Sequence, residues 1–438
     1  MTSKTFATLS SLPLLALGSL LLACGGERMS VGSNDASSPA EPKHCSSGDA
    51  TGVLAARTQE QIDALRGCEI VDGSLEIWNS QSDAPLSLEA LASMRIVTGD
   101  FSLQNVASLA GLERLEQVGN LALEFVDVVD LLPLSNLERV IWDPPGGGDG
   151  GVISIGDVPN LQSLAGLQKL TTWTRIGIGD APALATLEGL AGPPKLLELL
   201  VSRLPALRDL RGLEFVREAE TTSIESTGVT SLDGLSLSRA ESLIVQGNPA
   251  LTDLNALNRL YKADYLQISD NASLLGAELS SLSQVQTIKI TGNPLLTQLY
   301  AYGASEGTAL TVRDDPEAAN PKTVSLSRQL FEVGNNASLH QIAAPEGFSD
   351  VQQVSIWGNP ALTDLDLDHL ERADGLEILD NPALKTLIVP ELRRVGDLEV
   401  VNNPQLSTTA LDGVQSFTRT MSGNRAPAPA TPPAPTGP

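Results

Sequence analysis

The chain has 438 residues, 42% of them hydrophobic but only 3% aromatic, and 53 acidic residues against 28 basic ones give a formal net charge of −25. A surface of that sign repels phosphate backbones and anionic lipids, which argues against nucleic acid as a partner. With so few aromatics the core must be aliphatic, and that favours thin repeated layers over one large globular centre.

Lys4 precedes an apolar run from Leu9 to Leu22 that is interrupted only by small residues and Pro13. The run is too short for a comfortable membrane span and suits the apolar region of an export signal. It ends in Leu21-Leu22-Ala23-Cys24, with an aliphatic three residues before the cysteine and a small residue next to it. These four residues resemble the lipobox of bacterial lipoproteins. The resemblance implies that residues 1–23 are a lipoprotein signal peptide and that Cys24 becomes the lipidated, palmitate-bearing first residue. Gly25 after the cysteine implies sorting to the outer membrane, with possible display at the cell surface. Without the resemblance, the alternative is an ordinary secreted protein whose Cys24 is incidental. Residues 24–44, rich in Gly, Ser, Pro, Ala and charge, read as a flexible tether.

Cys45 and Cys68 are the other two cysteines, and in an exported chain they most simply form one disulfide. Between them Thr58-Gln59-Glu60-Gln61 matches a capping box, Ile62 and Leu65 are spaced for one helical face, and Gly67 follows as a stop. The pattern predicts a short capping helix over about 58–66, within a disulfide-linked cap spanning 45–74. Two cysteines and three scattered histidines (His44, His340, His369) offer no metal-ligand spacing, and no cofactor is expected.

Gly67-Cys68-Glu69-Ile70-Val71-Asp72-Gly73-Ser74-Leu75-Glu76-Ile77 resembles the start of the receptor L-domain family, the ligand-binding lobes of insulin- and growth-factor-type receptors. The motif recurs at Ile96-Val97-Thr98-Gly99-Asp100-Phe101-Ser102-Leu103 and at Val118-Gly119-Asn120-Leu121-Ala122-Leu123. Beyond about residue 140 the chain turns toward a leucine-rich-repeat-like pattern with Asn-Pro, so receptor-type ligand binding does not carry over. The resemblance implies a right-handed β-helix.

Periodicity independently requires a solenoid. In Leu243 to Leu257, two alternating aliphatics lead into Gly247-Asn248-Pro249, and leucines then follow at a spacing of three. The first part suits a short strand with one buried face, the Gly-Asn-Pro suits a turn, and the leucines suit a tight return. So small a unit cannot bury its own apolar face, so copies must stack. With Asn248 as the reference column, the series runs from Ser80, Val106, Val126, Val158, Ala181, Leu204 and Thr227 through Asn271, Asn293, Asp315, Asn336, Asn359, Asn381 and Asn403. Three residues before it every position is aliphatic; five before it only Thr222 breaks an apolar column. The expectation is a mainly β, parallel β-solenoid over 75–423, of about fifteen coils of 21–23 residues, whose asparagines (Asn248, Asn271, Asn293, Asn336, Asn359, Asn381 and Asn403) form a structural ladder. Residues 424–438 read as a disordered Pro/Ala-rich tail.

The Gly-rich stretch Trp142–Gly151 lacks the Lys-Ser/Thr of a phosphate cradle and reads as a mobile loop. Asp364, Asp366 and Asp368 alternate with Leu365 and Leu367, which suits either a solvated face or a divalent cation. No nucleophile–base arrangement stands out, so the reading is non-enzymatic. Binding would use outward strand positions, among them Glu76, Ser102, Gln267, Lys289, Thr311, Glu332, Ser355, Glu377 and Glu399. Trp78, Trp357, Tyr261, Tyr265, Tyr300 and Tyr302 are the candidate aromatic contacts, for a protein or a glycan at the cell surface.

Overall fold

The structure, a computed structural model, describes residues 41–48, 51–79, 86–142, 150–279, 281–282, 284–301, 330–343 and 349–425. Cys24, Tyr302, Thr311, Asp315, most of the Gly-rich stretch and the tail from 426 lie outside the described residues.

Each coil contains a short strand whose alternate side chains point inward. In Arg239–Gln246, Leu243 and Val245 are buried while Ile244 and Gln246 face outward. Neighbouring strands repeat this in register: Leu243 lies between Thr222 and Leu266, and Val245 between Ile224 and Ile268. A slip of one residue would turn every one of these side chains to solvent, so the apolar columns themselves fix the register. The pairings are parallel throughout and build a nineteen-stranded sheet. The chain is thus a mainly β, parallel β-solenoid.

The residue just before the reference column is left-handed in coil after coil, at Asn105, Asp157, Asp180, Asp270, Asn335, Asp380 and Asn402 and at Gly247, Gly292 and Gly358. These residue types tolerate positive φ, which is why the turns carry them. The chain then returns along buried leucines such as Leu251, Leu254 and Leu257. In the first half these returns come very close together. At Gly212 (φ +104) a Cβ would stand 2.2 Å from the Leu187 carbonyl oxygen of the preceding coil. In the second half the return forms strands of its own, and a five-stranded parallel sheet collects Gly276–Leu279, Gln298–Ala301, Gln341–Ala343, Asp364–Asp366 and Thr386–Ile388.

The halves also differ in how they satisfy the turn. Val158 donates its N–H directly to the Asp180 carbonyl of the next coil. Asn248 instead donates its N–H to Asn271 Oδ1 at 3.0 Å, and its own Nδ2 to Ile224 O at 3.0 Å. The same bonds recur from Asn271 to Asn293 and from Asn336 through Asn359, Asn381 and Asn403. All of these carboxamides are fully buried, so each must be bonded or cost stability.

Several boundaries differ from those read in the sequence. The main sheet starts earlier than residue 75, since Val53–Ala56 already pairs with Ser74–Ile77 and His44–Cys45 with Ile70–Val71. That sheet ends with Gln415–Ser422, but the asparagine ladder continues past 423: Asn424 accepts from Asn403 N–H at 3.1 Å, and Arg425 makes an isolated bridge to Ser407. Thr287–Thr291 pairs directly with Leu330–Gly334, and Asn293 bonds Asn336, 43 residues on. The coil spacing of 21–23 residues therefore breaks there. The helix is Gln59–Asp63, shorter than 58–66. Thr58 and Gln61 cap each other reciprocally, and Ala64 already serves as its C-cap. A disulfide joins Cys45 to Cys68.

Candidate functional site

The inward columns are occupied by the fold, so recognition chemistry must come from the outward strand positions and the coil corners. On the main sheet the central outward column runs Ser223, Ile244, Gln267, Lys289, Glu332, Ser355, Glu377, Glu399 and Thr420 in direct register. Hydrogen bonds along and across the strands hold many of these side chains in place. Tyr265 Oη donates to Gln267 Oε1 at 2.5 Å, and Gln267 Nε2 donates to Gln246 Oε1 and Ser269 Oγ. Lys289 Nζ lies 2.8 Å from a Glu332 carboxylate oxygen, and Ser355 Oγ donates to Glu377 at 2.8 Å. Burial raises the Tyr265 phenol above its ordinary range against the opposing pull of the Lys289 charge. The hydrogen bond to Glu332 raises the Lys289 ammonium.

The aromatic candidates do not converge. Trp78 ends the strand Ser74–Trp78, with the Arg57 guanidinium 4.5 Å from its ring centroid. Trp357 ends Asp350–Trp357, far along the stack, and its indole lies over Gly334, where a Cβ would stand 2.2 Å from it. Tyr261 is exposed just before Lys262–Ser269, the strand that carries Tyr265. Tyr300 belongs to the second sheet, on the strand Gln298–Ala301. Asp364 and Asp366 also lie on that sheet, flanking the buried Leu365. Hydrogen bonding from Thr363 lowers the Asp364 carboxyl, whereas burial, aided by the Asp368 charge, raises that of Asp366. Among the described residues no group of three or more His, Cys, Asp or Glu side chains is placed to hold a metal ion.

The structure adds a feature that the sequence reading passed over. Trp78, Asn79, Gln104, Asn105 and Phe125 line an open cleft of about 390 Å³ at one corner of the early coils. Trp78, Gln104 and Glu124 are consecutive in register, and Gln104 Nε2 donates to Glu124 Oε2 at 3.0 Å. Asn105 Nδ2 donates to the Asn79 carbonyl at 2.8 Å. Phe125, 56% exposed, sits at the left-handed turn position where most other coils carry Asn, Asp or Gly and two carry Arg203 and Ser226. That mismatch was readable in the sequence one residue before Val126. A second cleft, of about 450 Å³, lies between Val389, Pro390, Arg393, Arg394 and Val414 near the C-terminal coils and has no aromatic in its lining.

Comparison with known proteins shows no family for the chain. No protein-family model matches it. No curated protein matches it either. Solved structures similar to it include an internalin from Listeria monocytogenes, at 12% identity and TM-score 0.23 over 57% of this chain and 84% of that one. A leucine-rich repeat protein from Bacteroides thetaiotaomicron matches at 11% identity and TM-score 0.22 over 84% of this chain and 53% of that one. A plant peptide hormone receptor matches at 14% identity and TM-score 0.17, over 85% and 80% respectively. Likenesses this weak carry no family membership and no function. Among the described residues no helix is long and apolar enough to cross a membrane.

Proposed function

We propose that the protein is a lipid-anchored recognition or adhesion scaffold of the outer envelope, without enzymatic activity, which binds another surface protein through the outward face of its solenoid. Cys24 carries the anchor in this reading, residues 24–44 tether the rod, and the short helix with the Cys45–Cys68 disulfide closes its first coil. The observation that supports it is the contrast between the two sides of one sheet. Five residues before the reference column the inward position is apolar from Leu54 to Leu398 except at Thr222, while the outward column changes chemistry at nearly every step. A rigid frame with a freely varied face is what a binding solenoid needs. A glycan-binding or structural envelope protein is the second reading, favoured by the aromatic cleft at Trp78 and Phe125; a polysaccharide-active enzyme ranks below both.

The test compares the native chain with a variant in which Gln267, Lys289 and Glu332 are replaced by serine. Both are immobilised and challenged with envelope extract. A protein held by the native chain and lost by the variant supports the reading, and equal retention by both overturns it. Palmitate labelling that survives Cys24→Ala removes the anchor.

A further inference from the structure

We propose that the cleft between Trp78 and Phe125 is a saccharide subsite that takes one uncharged hexopyranose unit of a glycan chain. Four features lead there. The first is that Phe125 harms the fold it sits in. Its φ is 53° and its ring is 56% exposed, so a bulky side chain occupies a left-handed turn without gaining burial. Such a conformation costs on the order of 1–2 kcal/mol for a residue other than Gly, Asn or Asp. Arg203, the other bulky residue at this position, puts its side chain to use by binding Asp180. Among the described ring and ion contacts Phe125 has no comparable partner, and a half-exposed aromatic in a strained turn beside a cleft is read as a ligand contact.

The second feature is a second aromatic ring. Arg57 supports Trp78 from the preceding coil, 4.5 Å from the ring centroid, and is not among the described residues that line the cleft. Trp78 ends the first and Phe125 follows the third of three adjacent strands, so the two aromatics flank a cleft about 10 Å long, the length scale of one pyranose unit. The C–H faces of a sugar ring suit the negative faces of aromatic rings.

The third feature lies between the rings. The Gln104 and Asn105 carboxamides stand there already oriented, Gln104 by its bond to Glu124 and Asn105 by its bond to the Asn79 carbonyl. Each bond uses the amide nitrogen, and no described hydrogen bond uses either side-chain oxygen. Fixed planar amides are suited to the vicinal hydroxyls at the rim of a pyranose. The fourth is electrical. Among the described residues every lining side chain is uncharged, and the charges next to it are already engaged, Glu124 with Gln104 and Arg57 with the Trp78 ring. A neutral polyol answers to all four.

The experiment titrates the full chain with cellohexaose, chitohexaose, mannohexaose and maltohexaose, read by tryptophan fluorescence and calorimetry. The expected result is saturable binding of at least one of them, weakened at least tenfold by Phe125→Asn and by Trp78→Ala. Phe125→Asn should leave the thermal midpoint unchanged or raise it, because Asn accepts the left-handed turn. Failure of all four sugars to bind overturns the proposal, as does binding that survives Phe125→Asn. A midpoint lowered by several degrees in Phe125→Asn would also overturn it, since it would show the ring to be a fold element. Capture of a protein partner by the outward face should be indifferent to Phe125→Asn, so the two readings can fail separately.

Discussion

Asn293 and Asn336 are 43 residues apart in the chain yet occupy adjacent rungs, the Asn293 N–H donating to Asn336 Oδ1 at 3.0 Å. The bond matches the one Asn271 makes to Asn293, 22 residues on, at 3.1 Å. The stack therefore passes straight over residues 302–329. Replacing them with a linker of about nine residues, as many as separate Ala343 from Gln353 in the next coil, should leave the fold intact. Closing a shorter segment costs less entropy, so stability should rise by up to about 1 kcal/mol. Circular dichroism and the urea midpoint check this, and loss of strand signal would mean that the omitted residues hold the stack together.

Asn336→Ala should be far more damaging than a surface change. Its carboxamide accepts from Asn293 and donates to Ile290 O, Gly334 O and Asn359 Oδ1, all in a site closed to water. Alanine leaves the Asn293 N–H buried without a partner and takes from the Ile290 carbonyl the donor it has besides its strand ladder, at a cost of roughly 1–3 kcal/mol. Asp at the same site keeps the acceptors but loses the donors and buries a charge, so it should be no milder. Urea unfolding of the two variants against the native chain measures both effects.

The solenoid was legible because its core rests on two strict columns. The pairs Leu243 with Leu266 and Val245 with Ile268 follow from spacing alone. The even spacing breaks where Ile290 pairs directly with Val333, 43 residues on, while Leu310-Thr311-Val312 and Asp315, which continue the pattern in the sequence, lie outside the described residues. Asn424 was lost to the tail because its coil replaces the inward Leu398 and Val400 with Arg419 and Met421, which hides the apolar pattern. The Trp78–Phe125 cleft was half legible. Trp78 stood out as an aromatic after a strand, but Gln104 and Phe125 join it only through pairing across three strands.

The Arg203–Asp180 pair makes a pH prediction. Hydrogen bonding from Arg203 holds the Asp180 carboxyl below the usual carboxylate range, and Asp180 in turn raises the guanidinium. A carboxyl with a depressed folded pKa contributes stability that is complete above its unfolded value, near 4, and is lost as pH falls through the folded value. Both side chains are more than a third exposed, at 58% and 37%, so screening keeps the contribution under about 1 kcal/mol. Asp180→Asn should therefore lower stability slightly at pH 7 and converge with the native chain in strong acid. Thermal midpoints measured between pH 7 and pH 2 test the convergence, and parallel curves would show that the pair contributes nothing through ionisation.

Among the described residues from Leu54 to Leu398, Thr222 is the one polar member of an apolar inward column, fully buried between Leu199 and Leu243, and its Oγ1 has no hydrogen-bond partner. A buried hydroxyl without a partner forfeits its hydration and gains nothing in return, at about 1–3 kcal/mol. Valine has nearly the same shape and the same branching, so it keeps the strand rotamer and fills the same space with a methyl group. Thr222→Val should raise the urea midpoint, by about 1 kcal/mol in stability, with an unchanged slope because the buried surface is the same. Thr222→Ser is the control: it keeps the stranded hydroxyl, removes a methyl group from the core and should cost about 1 kcal/mol. If valine proved as damaging as serine, the hydroxyl would have to be bonded in solution, and the column at this coil would be polar by requirement.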